Sequence, residues 1–260
     1  MTQMTSQSEL RAIIASLIGN TLEWFEYTLY AYFAVVISAL FFPSDSVYIG
    51  LLMTFATFTV GLAARPIGGL IFGYVGDKYS RKKMLFVAMM LMSIPTLCIG
   101  ILPTYEQIGI AAPIILILLR IFQGIALGGE FGASCVYLYE SVEQKKRSFY
   151  GTLPLTGVGM GLVLSTSTIF LIESVFTQEE VFSYAWRIPF FISVFGAMVA
   201  LYIRRSLLET TDFLQAVQDK TLLKNPIHEL FKNHKYSLFK LFTIFLTTQV
   251  SFFVVYQDKV

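Results

Sequence analysis

The sequence predicts an all-α membrane protein, a polytopic bundle of six spanning helices followed by part of a seventh. Three observations carry that prediction. Apolar and aromatic residues make up 55% of the 260 positions and charged residues only 14%, where a soluble domain carries roughly a quarter charged residues. The apolar residues are strung into long unbroken runs, each close to the ~20 residues that an α-helix needs to cross the hydrocarbon core. Lysine and arginine gather in alternate connections between those runs, the pattern of a polytopic protein whose basic loops face the cytoplasm.

The first six runs cover residues 16–41, 48–73, 84–102, 110–139, 150–172 and 186–203. A seventh starts at Leu238 and stops at Tyr256, before Gln257-Asp258-Lys259-Val260. Turn and polar residues fill the gaps, as in Pro43-Ser44-Asp45-Ser46, Pro103-Thr104-Tyr105-Glu106 and Thr177-Gln178-Glu179-Glu180. The runs are too long for barrel strands and lack their period-two alternation, so helices are predicted. The expected organisation is a six-helix bundle over 1–203, a cytoplasmic linker over 204–237 and a truncated seventh helix over 238–260. The polar start of the chain lacks the basic region and cleavage site of a secretory signal, so the first run is read as an uncleaved membrane helix.

Orientation follows from the basic residues. The loop after the second run holds Lys78, Arg81, Lys82 and Lys83, and the loop after the fourth holds Lys145, Lys146 and Arg147. The stretch after the sixth adds Arg204, Arg205, Lys220, Lys224, Lys232, Lys235 and Lys240. The three opposite connections contribute only Arg187. This asymmetry places the N-terminus in the cytoplasm.

Five ionisable residues fall inside predicted spans: Glu23 and Glu26 in the first, Arg65 in the second, Arg120 and Glu130 in the fourth. Each costs at least ~2.5 kcal/mol near a helix centre, so such residues face a cavity or a partner charge. Glu23 and Glu26 share a stripe with Gly19 and Tyr30. Arg120, Gln123, Leu127 and Glu130 share one half of the fourth helix. Two acids on one helix and a cation on another predict a polar centre able to hold a proton or a small charged solute. The competing reading is ion pairing that fixes helix packing or, for Arg65, snorkelling to the interface.

Small residues four apart, Gly69/Gly73, Gly124/Gly128 and Gly157/Gly161, predict close approach of neighbouring helices. Gly157, Gly159 and Gly161 follow no strand and have no downstream ribose acid, which excludes a dinucleotide loop. Cys98 and Cys135 lie in apolar runs and read as small hydrophobes, and His228 and His234 read as solvated linker residues. With no Walker lysine, nucleophile elbow or Cys/His ligand set, no enzyme activity, cofactor, metal site or nucleic-acid partner is expected.

Several segments resemble a known family. Gly73-Tyr74-Val75-Gly76-Asp77-Lys78-Tyr79-Ser80-Arg81-Lys82-Lys83 is similar to the loop between helices two and three of the major facilitator superfamily. Arg120-Ile121-Phe122-Gln123-Gly124 with Gly128-Gly129-Glu130 resembles its fourth-helix motif. Gly19-Asn20 with Glu23-Trp24-Phe25-Glu26, Ala64-Arg65-Pro66 with Gly68-Gly69, Trp186-Arg187-Ile188-Pro189-Phe190, and Arg204-Arg205 with Leu207, Glu209 and Thr210 narrow the likeness. Together they resemble the metabolite:proton symporters, the group containing the proline/betaine transporter. Lys78 and Ser80 stand where the loop pattern has arginine and glycine, and lysine lacks the planar fork of arginine.

The resemblance implies the N-terminal half of a twelve-helix fold built from two six-helix halves. It implies an inner-membrane carrier for proton-coupled symport of a small polar metabolite or osmolyte. Proline or glycine betaine is the first expectation, a dicarboxylate or oxoacid the next. The implied proton and substrate residues are Glu23, Glu26, Tyr30, Arg65, Arg120, Gln123 and Glu130; the implied cytoplasmic gate is Gly73, Asp77, Lys78, Arg81 and Lys82. The partners are then the solute, protons and membrane lipid. One half lacks the second wall of a central cavity, so this chain alone is expected not to accumulate solute without a second half or self-association. The alternative is a non-transporting remnant or a subunit of a split transporter.

Overall fold

In lipid every main-chain N–H and C=O must be satisfied inside its own segment, and long apolar runs therefore close into long helices. The computed structural model describes residues 6–223 and 225–257. Lys224 of the predicted linker and Asp258, Lys259 and Val260 of the predicted seventh run lie outside the described residues. The helices are α1 (Ser6–Tyr32), α2 (Ala34–Phe41), α3 (Val47–Lys78), α4 (Arg81–Ile101), α5 (Tyr105–Ile108), α6 (Ala111–Ser141), α7 (Arg147–Tyr150), α8 (Leu153–Val175), α9 (Gln178–Ser183), α10 (Ile188–Arg205), α11 (Thr211–Gln218), α12 (Pro226–Asn233) and α13 (Lys235–Gln257). Among the described residues five helical stretches are long and apolar enough to cross a membrane, and six if the bent pair α1–α2 counts as one span.

That bend is 64° and falls at Phe33, where neither proline nor glycine is present. Packing holds it. Beyond Phe33, Val36, Ile37 and Phe41 enter the same buried apolar cluster as Trp186 and Phe190. Phe41 and Phe190 meet Trp186 edge-on, with ring centroids 5.8 and 5.9 Å away.

Four helices make an inner ring: α1 packs on α6, α6 on α4, α4 on α10, and α10 back on α1. The two remaining long helices lie outside it, α3 against α6 and α8 against α1. Missing side chains let these outer helices approach. A Cβ on Gly124 would collide with the Gly61 carbonyl of α3, and one on Gly161 would meet the Thr21 carbonyl of α1. Gly124/Gly128 and Gly157/Gly161 therefore act as the sequence predicts. Gly73 does not: a Cβ there would have nothing within 4 Å among the described residues, and Gly61 and Gly68 make the contacts instead.

Arg187, the lone cation of the opposite connections, donates to the Gly100 carbonyl at 3.0 Å and the Leu102 carbonyl at 2.8 Å. It closes the C-terminal end of α4, whose last carbonyls have no partner within the helix. The sixth span reaches Arg205, two residues past its predicted end, because Arg204 is fully buried and belongs to the bundle. The linker beyond it is partly helical, with α12 packed on α3 and α13 following.

Candidate functional site

Each helix of the inner ring sends one polar side chain to a common point. Glu26 of α1 accepts hydrogen bonds from Thr96 Oγ1 of α4 at 2.6 Å, from Gln123 Nε2 of α6 at 3.3 Å, and from Ser193 Oγ of α10. Gln123 also donates to Thr96 Oγ1 at 2.8 Å. All four side chains are buried. Every donor to the carboxyl is neutral.

Towards the basic-loop end the ring closes a second time, now with charge. Arg204 of α10 forms a bidentate pair with Glu130 of α6, its Nη1 reaching Oε2 at 2.9 Å and its Nη2 reaching Oε1. The same guanidinium donates to the Leu85 carbonyl of α4 and, at 3.3 Å, to the Ala15 carbonyl of α1. Gly19 of α1 makes room, since a Cβ there would strike Arg204 and Glu130. At the same end Asn20 Nδ2 donates to Ser134 Oγ and to the Ser16 carbonyl, each at 2.9 Å.

Glu23 and Arg65 face a different way, into the wedge between α1, α3 and α6. Arg65 Nη2 lies 3.6 Å from Glu23 Oε1, and its guanidinium sits 5.4 Å from the Tyr27 ring. Arg120 lies 3.5 Å above the Tyr30 ring, whose hydroxyl donates to the Thr54 carbonyl at 3.2 Å. Tyr27, Phe58, Arg65, Arg120 and Gln123 help line a small cavity of about 20 Å³, enough for one water. Buried Arg120 Nε and Nη2, Gln123 Oε1 and Glu23 Oε2 have no hydrogen-bond partner among the described residues. Unsatisfied buried groups of this kind are rare and call for a ligand, water or ion.

The predicted polar centre is thus divided. Glu26 and Gln123 share one cage, Glu23, Arg65, Arg120 and Tyr30 surround the wedge, and Glu130 belongs with Arg204. Residues three apart on a helix point about 60° apart, so Glu23 and Glu26 address different neighbours.

Of the predicted gate residues, Asp77, Arg81 and Lys82 join one network at the basic-loop end. Arg81 bridges Asp77 at 2.5 Å and Glu140 of α6 at 3.3 Å. Glu209 accepts from Ser80 Oγ and, at 3.3 Å, from the Lys82 main-chain N–H. Glu140 also accepts from Thr210 Oγ1 at 2.6 Å, and Tyr137 donates to the Leu208 carbonyl at 2.6 Å. Lys78 lies over the Tyr74 and Tyr79 rings instead, at 4.8 and 5.7 Å. Gly73 borders a groove of about 250 Å³ against Leu223, Pro226, Ile227 and Leu230 of the linker.

A model of the sugar (and other) transporter family matches residues 11–251 of this chain. The chain belongs to that family, within the major facilitator superfamily. It is 38% identical over 248 residues to the shikimate transporter of Escherichia coli K12, covering 94% of this chain and 57% of the relative. It is 35% identical over 253 residues to the proline/betaine transporter of Salmonella typhimurium LT2, covering 94% and 51%. In fold it matches the E. coli xylose transporter XylE in a partially occluded inward-open conformation, with a TM-score of 0.73 at 16% identity, over 82% of this chain and 51% of that one. The chain spans about half the length of the curated relatives it matches.

For this transporter-family chain, sequence reasoning missed Thr96 and Ser193 as partners of Glu26, and Arg204 as partner of Glu130. A single hydroxyl in an apolar run carries no signal of its own, because it can bond its own helix carbonyl, as Ser93 does to Met89. Arg204 stood next to Arg205 at a span's end, where a basic residue reads as interfacial. Its adjacency to a motif containing Glu209 was the available signal.

Proposed function

We propose that these residues form the proton-handling half of an inner-membrane symporter for a small, carboxylate-bearing metabolite or osmolyte, with the N-terminus in the cytoplasm. The supporting observation is the contrast between the two buried carboxyls of the ring. Glu26 is hydrogen-bonded only by hydroxyl and amide donors, so a proton can enter or leave without breaking an ion pair. Protonating Glu130 would strand Arg204, a penalty of several kcal/mol. Glu26 is therefore the proton site and Glu130–Arg204 the strut.

The solute's carboxylate goes to the wedge, which must widen beyond its one-water cavity to take it. Arg65 and Arg120 border it, and Arg120 keeps two N–H groups without a partner among the described residues. A carboxylate there would satisfy them with charge-assisted hydrogen bonds. Gln123 spans the two sites, donating into the Glu26 cage while lining the wedge. Solute occupancy and protonation of Glu26 are thereby linked through one amide. Proline or glycine betaine is the first candidate solute, a dicarboxylate or oxoacid the second. Shikimate, proline and betaine, named for the relatives, share one carboxylate. In this superfamily the substrate site lies near the midplane between two halves.

The test joins residues 1–260 to the second half of the Salmonella proline/betaine transporter, in cells lacking their own proline and betaine uptake. Accumulation of labelled proline driven by a pH gradient is expected. Glu26→Gln should abolish the accumulation while membrane abundance stays unchanged. Accumulation by Glu26→Gln equal to that of the unmutated chimera would overturn the proton assignment.

A further inference from the structure

We infer that the ends of α1 and α8 opposite the basic loops enclose a second ligand site, one that receives an organic ammonium group. The first span bends by 64° at Phe33, between α1 and α2. α8 continues to Val175, and Gln178, Val181 and Phe182 of α9 line the space beside its end. That space is a cavity of about 590 Å³, within the range of small-molecule sites.

Its walls are aromatic and its polar groups carry a single sign of charge. Phe33, Phe176 and Phe182 line it together with Tyr32, Glu173 and Gln178. No lysine, arginine or histidine lines it among the described residues. The Tyr32 hydroxyl donates to Glu173 Oε1, fixing the carboxylate at the rim. Glu173 lies in the last turn of α8, where the helix dipole disfavours a negative charge. No cation offsets it among the described residues: no ion pair joins Glu173, and Arg187 is engaged by α4. Glu180, in the first turn of α9, is instead occupied in capping that helix through Thr177. A carboxylate in an apolar, aromatic-rich cavity, with no cation beside it among the described residues, is the chemistry that selects quaternary and secondary ammonium groups.

The site is separate from the Glu26 cage, since Tyr32 lies six residues further along α1, roughly 9 Å of helix rise. Ammonium binding here is independent of whether Glu26 carries the coupled proton. Under the proposed function it adds that the solute is a zwitterion, met first by its ammonium end at the outer mouth. Its carboxylate then remains free for the arginines of the wedge.

The test uses the full 260-residue chain in lipid nanodiscs and equilibrium binding of labelled choline, which has the ammonium but no carboxylate. Saturable binding is expected, displaced by glycine betaine and not by acetate. Glu173→Gln should weaken it about ten-fold or more, whereas Glu173→Asp should retain saturable binding. Phe176→Leu should weaken it as well, and Glu179→Gln, outside the cavity, should leave it unchanged. Thermal unfolding midpoints equal to the parent chain's show that the variants are folded. Absence of saturable choline binding, or equal affinity in the parent chain and Glu173→Gln, would overturn the assignment. Failure of proton-driven uptake in the chimera with choline binding intact would count against the transport reading alone.

Discussion

Arg204 Nη1 meets Glu130 Oε2 at 2.9 Å with both side chains sealed from solvent, and the same guanidinium reaches carbonyls on α1 and α4. One side chain at the end of α10 thereby ties all four helices of the inner ring. Arg204→Ala leaves Glu130 charged and alone, and should destabilise the bundle by about 3–5 kcal/mol. Replacing both partners with apolar residues, Glu130→Leu with Arg204→Met, should be less damaging than Arg204→Ala alone. Thermal unfolding in detergent measures both. Additive losses in the double variant would show that the pair is not coupled.

Arg120 is expected to act through its N–H groups and not through charge alone. Arg120→Lys keeps a cation over the Tyr30 ring but loses the planar fork. In the chimera its KM for proline should rise about ten-fold or more, the loss of roughly one charge-assisted hydrogen bond. Maximal velocity should fall less than the affinity does. An unchanged KM would remove Arg120 from solute recognition.

The close crossing of α3 and α6 predicts opposite outcomes at two glycines. Gly124→Val drives methyl groups into the Gly61 carbonyl and should destabilise by about 1–3 kcal/mol or more. Gly73→Ala meets open space within a helix and should be neutral, or stabilising by up to about 1 kcal/mol. Detergent melts of the two variants side by side decide the matter. A Gly73→Ala loss as large as that of Gly124→Val would mean that the linker packs directly on Gly73 and leaves no groove there.

The orientation is checked by cysteine labelling in a chain whose Cys98 and Cys135 are replaced by serine. A cysteine at exposed Gln178 should react with a membrane-impermeant thiol reagent in intact cells. One at exposed Gln218, in α11, should react only after the cells are opened. The reverse result would invert the assigned topology.

The helix count, the family and the residues worth watching were determined by the sequence itself. Spanning length and the distribution of lysine and arginine are one-dimensional properties, set by bilayer thickness and loop charge. An acid or arginine inside an apolar run is conspicuous for the same reason, which is why Glu23, Glu26, Arg65, Arg120 and Glu130 stood out. Pairing is not one-dimensional. Only the packing of α1, α4, α6 and α10 decided that Glu26 meets hydroxyls and an amide while Glu130 meets Arg204. Glu23 and Glu26 are three residues apart, yet a turn of about 60° aims them at different helices. The same holds for the cavity at Tyr32 and Glu173. The bend beside it has no proline or glycine to announce it, because Phe33, Ile37 and Phe41 are held in one buried cluster with Trp186 and Phe190, more than a hundred positions along the chain.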